Sequence, residues 1–186
     1  MDVALIGGSF NPPHVGHLLA ACYVKATSSA QEVWLMPTFH HPLGKTSEDF
    51  NHRVAMCLAM AEDCTPWLKV SRAEEAVGKE GWTVDTLAHL KAEFTEHRFR
   101  WVIGSDILAE LPRWKDFDRI RQMVDLTVLY RAGYPSHEAE GPPLVEISSS
   151  SLRDRLRQGE LPKGFIPQRV MRYILRHSLY GAQADA

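Results

Sequence analysis

The stretch Val3–Leu19, VALIGGSFNPPHVGHLL, limits what this chain can fold into more than any other. Val3–Ile6 is a run of four apolar residues, the length and composition of a short buried strand. Gly7 and Gly8 follow directly, and a helical pattern begins near Val15. A strand running through glycines into a helix is how a parallel α/β sheet makes a phosphate site. Glycine admits close backbone approach, and the first helical turn offers unpaired N–H groups and the positive end of a dipole. Pro12 and Pro13 have no N–H to lose and stiffen the turn. His14 and His17 stand at i and i+3, so both face an anion at the helix mouth. Taken singly, a Gly-Gly pair is commonly a tight turn, and a histidine at a helix start commonly caps or packs. It is the combination that points to a site. The spacing is neither G-x-G-x-x-G nor a Walker loop with its Lys-Ser/Thr end. No third His, Cys or carboxylate stands close in sequence, which argues against zinc.

At 186 residues the chain suits one domain, 1–186, with a full core. Its net charge of −2 gives no basic field for a nucleic-acid partner, so local basic residues must do any phosphate binding. No apolar run approaches the roughly 18 residues of a spanning helix. The N-terminus lacks the basic start of a signal peptide, and a cytoplasmic protein with no membrane partner is expected. Cys22, Cys57 and Cys64 are an odd count without C-x-x-C, each among apolar neighbours, and read as buried free thiols.

Taken in order, the chain predicts a first helix over Val15–Ser29 and a second strand over Glu32–Pro37. The loop Thr38–Ser47 follows that strand's carboxyl end, where open α/β sheets bind ligands, and carries His40, His41 and Lys45. Arg53–Ala61 reads as a helix, Trp67–Ser71 as a strand and Ala73–Gly81 as a solvated connection. Thr83 is a good N-cap for a helix burying Val84, Leu87 and Leu90. Phe99–Ile103 is a fourth strand, and Gly104-Ser105-Asp106 puts a carboxylate just past its end, the usual partner of ribose hydroxyls. Trp82 and Trp114 read either as packed aromatics or as flat binding surfaces. Asp125–Tyr130 is a fifth strand that delivers Arg131 to the ligand side. Ala132–Pro143 reads as loop and Leu144–Ile147 as a short last strand. Ser148 to Arg153 then forms a second strand-to-helix turn. It has hydroxyls at the cap and a guanidinium one turn in, able to grip phosphate oxygens bidentately. The tail Ile166–Tyr180 places Val170, Tyr173, Ile174 and Leu175 on one helical face, with Arg169, Arg172 and Arg176 solvated. Strands alternating with helices predict an α/β fold with a single doubly wound, mostly parallel sheet and a C-terminal helical segment.

The motif GGSFNPPHVGH resembles the signature of the H-x-G-H nucleotidyltransferase superfamily, and most closely its nicotinate (nicotinamide) mononucleotide adenylyltransferases. GWTVDTL, GSDILAELPRW and ISSSSLR are similar to further motifs of that family, so the resemblance runs from residue 2 to about 180. It implies a Rossmann-like fold and adenylyl transfer from ATP to nicotinate mononucleotide in NAD biosynthesis, with Mg²⁺ held mainly by the ATP phosphates. His14, His17, Lys45 and Arg153 would carry the charge stabilisation. Gly7, Gly8, Ser9, Phe10, His41, Gly104, Asp106, Ser148 and Ser149 would hold ATP. Trp82, Thr83, Trp114, Lys115 and Arg131 would hold the pyridine mononucleotide. The family's P-P-H-K-like segment is matched out of step by His41-Pro42-Leu43-Gly44-Lys45, so Lys45 is the first choice for the phosphate contact and His41 the second. Nicotinamide mononucleotide or phosphopantetheine as acceptor are the alternatives within the superfamily. A non-catalytic nucleotide-binding regulator is the alternative outside it. A homo-oligomer is compatible with the sequence.

Overall fold

In the strand Asp2–Gly8 (β1), Val3 and Leu5 enter one buried cluster and Ala4 and Ile6 another. A strand buried on both faces belongs at the centre of a sheet covered by helices on both sides. The computed structural model, which describes residues 1–40, 47–78 and 81–183, places β1 there. The other described strands are Glu32–Pro37 (β2), Leu68–Val70 (β3), Arg98–Gly104 (β4), Asp125–Arg131 (β5) and Glu140–Leu144 (β6). All pair in parallel, in the order β3-β2-β1-β4-β5-β6. The order reverses between β1 and β4, and a cleft outside the carboxyl ends of those two strands is the expected ligand position.

Helices close both faces. Val15–Thr27 (α1), Phe50–Ala61 (α2), Ser149–Arg157 (α6) and Gln168–Arg176 (α7) pack on the Ala4/Ile6 side, through residues such as Val24, Met56, Leu156 and Ile174. Ala73–Val77 (α3), Thr83–Glu93 (α4) and Phe117–Met123 (α5) pack on the Val3/Leu5 side through Ala73, Leu87 and Ile120. Each fully buried Leu or Ile contributes about 1.5–3 kcal/mol, so both faces hold the sheet.

Several expectations are corrected. The first helix ends at Thr27 because Ser28 turns to extended backbone and its N–H and hydroxyl both bond Val24 O. The stretch 73–81 is not merely solvated: α3 forms there and buries Ala73 and Glu74. Trp82, not Thr83, precedes α4 as its cap, with its carbonyl accepting from Asp85 and Thr86 N–H. The last strand is Glu140–Leu144 rather than Leu144–Ile147. It pairs irregularly with β5 at the sheet edge, where Pro142 and Pro143 are tolerated because the outer N–H positions need no partner. The tail helix stops at Arg176, and a short 3₁₀ turn, Leu179–Gly181, carries Tyr180 into the interior. Arg169 is not simply solvated, since it pairs with Glu62 and Asp63 at 3.0 Å each. Of the thiols only Cys57 is buried; Cys22 is exposed and Cys64 half-buried. Among the described residues no helix is long and apolar enough to cross a membrane.

Candidate active site

A cleft of about 1030 Å³ opens where β1, β4 and β5 end. Gly7, Gly8 and Ser9 line one wall, Gly104, Asp106 and Arg131 the next, and Ser148, Ser149 and Arg153 a third. Trp82, Thr83, Trp114 and Lys115 line it as well, together with His14 and His17. Residues spread over most of the sequence therefore share one cavity of ligand size.

The histidine pair is built into the start of α1. His14 is the extended residue before the helix, and its backbone N–H donates to His17 Nδ1 at 3.1 Å. A ring nitrogen that accepts carries no proton, so neutral His17 holds its proton on Nε2 as a donor. The two rings lie with centroids 3.8 Å apart, and the Phe10 ring lies 4.8 Å from that of His17. Phe10 itself does not line the cleft; fully buried, it supports His17 from below. Its φ of 46° is a strained conformation for a side chain of that size. A Cβ on Gly16 would come to 3.0 Å from His14 Cε1 and Nδ1, so any other residue there would push the ring by a few tenths of an ångström. His14 Nδ1 is buried without a hydrogen-bond partner. Burial, and secondarily the Arg131 charge, pushes the His14 pKa down to about 4. The His17 pKa falls well below its ordinary value by burial, then by His14 and Arg131.

A stability profile follows from these directions. Between pH 6.5 and about 4 the unfolded chain protonates His14 while the folded chain does not, so this group's contribution is intact above pH 6.5 and lost on acidification. Glu74 acts oppositely, because burial raises its carboxyl to about 7 and the folded state takes up that proton first. The expected result is therefore a difference. Melting temperature should fall less steeply from pH 6.5 to 4.5 in His14→Asn than in the unsubstituted protein; equal slopes would contradict the assignment.

The two turns that frame the cleft are tied together. Ser148 caps α6 by accepting from Ser151 N–H, and Ser149 Oγ donates to Pro12 O at 2.9 Å. The Ser149 hydroxyl, expected on a ligand, donates its proton to the opposite turn while lining the cleft. Arg153 donates through NH1 to Asn11 O at 2.6 Å and through NH2 to Ser150 Oγ at 3.1 Å. Across the sheet, Asp106 Oδ2 pairs with Arg131 NH1 at 3.0 Å, while Asp106 Oδ1 is buried without a partner. That oxygen is the acceptor a ribose hydroxyl would need. The side chain is seated by Gly104, whose missing Cβ would overlap it. At the aromatic end, Lys115 Nζ sits 5.6 Å from the Trp82 ring centroid and 3.2 Å from Asp85.

His41 and Lys45 lie outside the described residues. Asn11, Arg53, Glu74 and Tyr180 are absent from the sequence expectations but belong to the site. Asn11 lines the cleft and accepts from the buried Tyr180 hydroxyl at 2.7 Å. Arg53 lines the cleft while only 3% exposed. Its signal was a charge at helical spacing among Phe50, Val54 and Cys57; Glu74 and Tyr180 gave none.

Residues 5–155 match the cytidylyltransferase-like family model. The chain is 54% identical over 97% of its length to a Myxococcus xanthus protein named "Probable nicotinate-nucleotide adenylyltransferase", covering 95% of that protein. It is 42% identical to a protein of the same name from an Anaeromyxobacter species, at 96% coverage of each. Its fold is similar to that of Plasmodium falciparum nicotinic acid mononucleotide adenylyltransferase complexed with NaAD. The TM-score is 0.81, with 18% identity and 99% of each chain covered.

Proposed function

The chain belongs to the nicotinate-nucleotide adenylyltransferase family of cytidylyltransferase-like proteins, and from that premise we propose that it joins ATP to nicotinate mononucleotide, giving nicotinate adenine dinucleotide and pyrophosphate. The observation that carries this reading is that the neutral His14/His17 pair, with ring centroids 3.8 Å apart, lines the same cleft as Arg153, Trp82, Thr83, Trp114 and Lys115.

In this reaction a 5′-phosphate oxygen of the mononucleotide attacks the α-phosphorus of ATP in line. The new P–O bond forms as the bond to the β-phosphate bridging oxygen breaks, and pyrophosphate departs. The attacking oxygen is already anionic, so no general base and no covalent intermediate are needed. The protein's part is alignment and stabilisation of charge spread over the phosphoryl oxygens. His17 Nε2–H donates to an α-phosphate oxygen, beside the Gly8–Phe10 backbone. His14 stands next to it toward the β-phosphate, and Arg153 with Lys45 meets the β- and γ-phosphates. Asp106 accepts from a ribose, and exchanging its Arg131 partner for a hydroxyl would free that guanidinium for phosphate. Trp114 and Trp82 offer flat faces to the electron-poor pyridine ring, and the first turn of α4 at Thr83 offers N–H groups to its carboxylate. Mg²⁺ enters bound to the ATP phosphates.

The test is pyrophosphate release from purified protein with ATP and Mg²⁺, offered nicotinate mononucleotide, nicotinamide mononucleotide or phosphopantetheine in parallel. Release is expected with nicotinate mononucleotide at a kcat/KM at least about 10²-fold above the others, because a site built for a carboxylate leaves polar groups unpaired with the wrong acceptor. Preference for another acceptor would keep the chemistry and overturn the pocket assignment. ATP binding without release in any arm would establish a binding protein instead.

A further inference from the structure

Two charged side chains are buried at the edge of the cleft and have no part in the reaction as drawn. Arg53, on α2, donates through NH1 to Ser9 O and through Nε to Glu48 O, both at 2.9 Å. Glu74, on α3 and 6% exposed, accepts from Phe39 N–H at 2.9 Å. Phe39 and Glu48 are the chain positions on either side of residues 40–47, directly after β2. Glu48 N–H also reaches Asn11 Oδ1 at 3.4 Å, and the Phe39 ring meets Phe50 of α2 edge-on at 5.0 Å. The hydrogen bonds of Arg53 and Glu74 thus end on the backbone of Ser9, just past the glycines, and of Phe39 and Glu48.

Buried charge is an expensive way to hold a fold. Apolar residues of the same volume pack as well or better, and buried ionisable side chains are weak support for a purely stabilising role. What a guanidinium supplies instead is a fixed fork that holds two carbonyls at a set separation.

We propose that Arg53 and Glu74 are positioning residues, Arg53 locking the phosphate turn at Ser9 to Glu48 and Glu74 fixing Phe39 to α3, so that both flanks of the segment following β2 are held in place and the grip on the ATP phosphates is set. The proposal rests on the adenylyl-transfer reading. Neither side chain touches the reacting atoms; each acts through backbone it holds, where a displacement of about 1 Å can cost about 10²-fold in rate.

Pyrophosphate is the probe, because it reports the phosphate subsite without the acceptor. Its affinity is measured by calorimetry for the unsubstituted protein, Glu74→Ala, Glu74→Gln and Arg53→Lys. The KM values for ATP and mononucleotide and the melting temperature are measured alongside. Glu74→Ala should weaken pyrophosphate about tenfold and raise the ATP KM by a similar factor, with the mononucleotide KM changed less than about twofold. Glu74→Gln keeps an oxygen for Phe39 N–H and should restore most of the loss. Arg53→Lys keeps the charge but not the fork and should weaken pyrophosphate several-fold; it decides the matter if Glu74→Ala does not fold. Unchanged pyrophosphate affinity in Glu74→Ala or Arg53→Lys overturns the proposal. So does a glutamine variant no better than alanine, or both KM values rising in step with a lower melting temperature. If the unsubstituted protein binds neither ATP nor pyrophosphate, the adenylyl-transfer reading itself fails, which is a different result.

Discussion

His17→Ala should lower kcat by about 10²- to 10³-fold, the range for removing one preorganised donor from developing oxyanion charge. The ring is placed by three independent features: the His14 N–H bond to Nδ1, the stack on His14 and the support of Phe10. Together they aim one N–H without needing a positive charge. Truncation removes that donor at a half-buried position, so melting temperature should move by only a few degrees. His17→Asn, which keeps a short N–H donor, should recover part of the rate. Steady-state pyrophosphate release by the two variants is the measurement. An alanine variant with normal kcat would remove His17 from the reaction.

Arg153→Ala should reduce kcat/KM for ATP by about 10²-fold, with Arg153→Lys recovering only a small part. The reason lies in the count of donors. A guanidinium has five N–H groups, and here one goes to Asn11 O and one to Ser150 Oγ. The rest remain for phosphate while the side chain still ties α6 to the turn before α1. A lysine supplies the charge but cannot hold Asn11 O at the same angle and meet phosphate oxygens as a planar fork. If lysine served as well as arginine, the role would be charge alone and the clamp would be incidental.

Much of the site was legible because its residues sit at strand-to-helix turns. At such turns local chemistry and function coincide: Gly7-Gly8 before α1, Asp106 after β4, the serines before α6. The strands β1, β2, β4 and β5 were legible for a related reason, since runs such as VALI and FRWVI are too short for a buried helix and end in glycine. The edge was not legible. The prolines of β6 read as loop, and only pairing with β5 makes Glu140–Leu144 a strand. Helix α3 was missed because AEEAV is five residues long and its buried glutamate looks like the half-buried glutamate beside it.

The sequence by itself determined the sheet's hydrophobic strands, the two strand-to-helix turns at the cleft and the place of the histidine pair, since each is a property of a few adjacent residues. Tertiary structure alone decided the Asp106–Arg131 pair and the bond from Ser149 to Pro12. It alone brought Arg53 and Tyr180 to the turn at Ser9–Asn11 and Glu74 to Phe39. Those are contacts between residues 25 to 169 positions apart. Their chemistry depends on what the folded chain removes from water and places opposite them, and no local pattern of residue types records that.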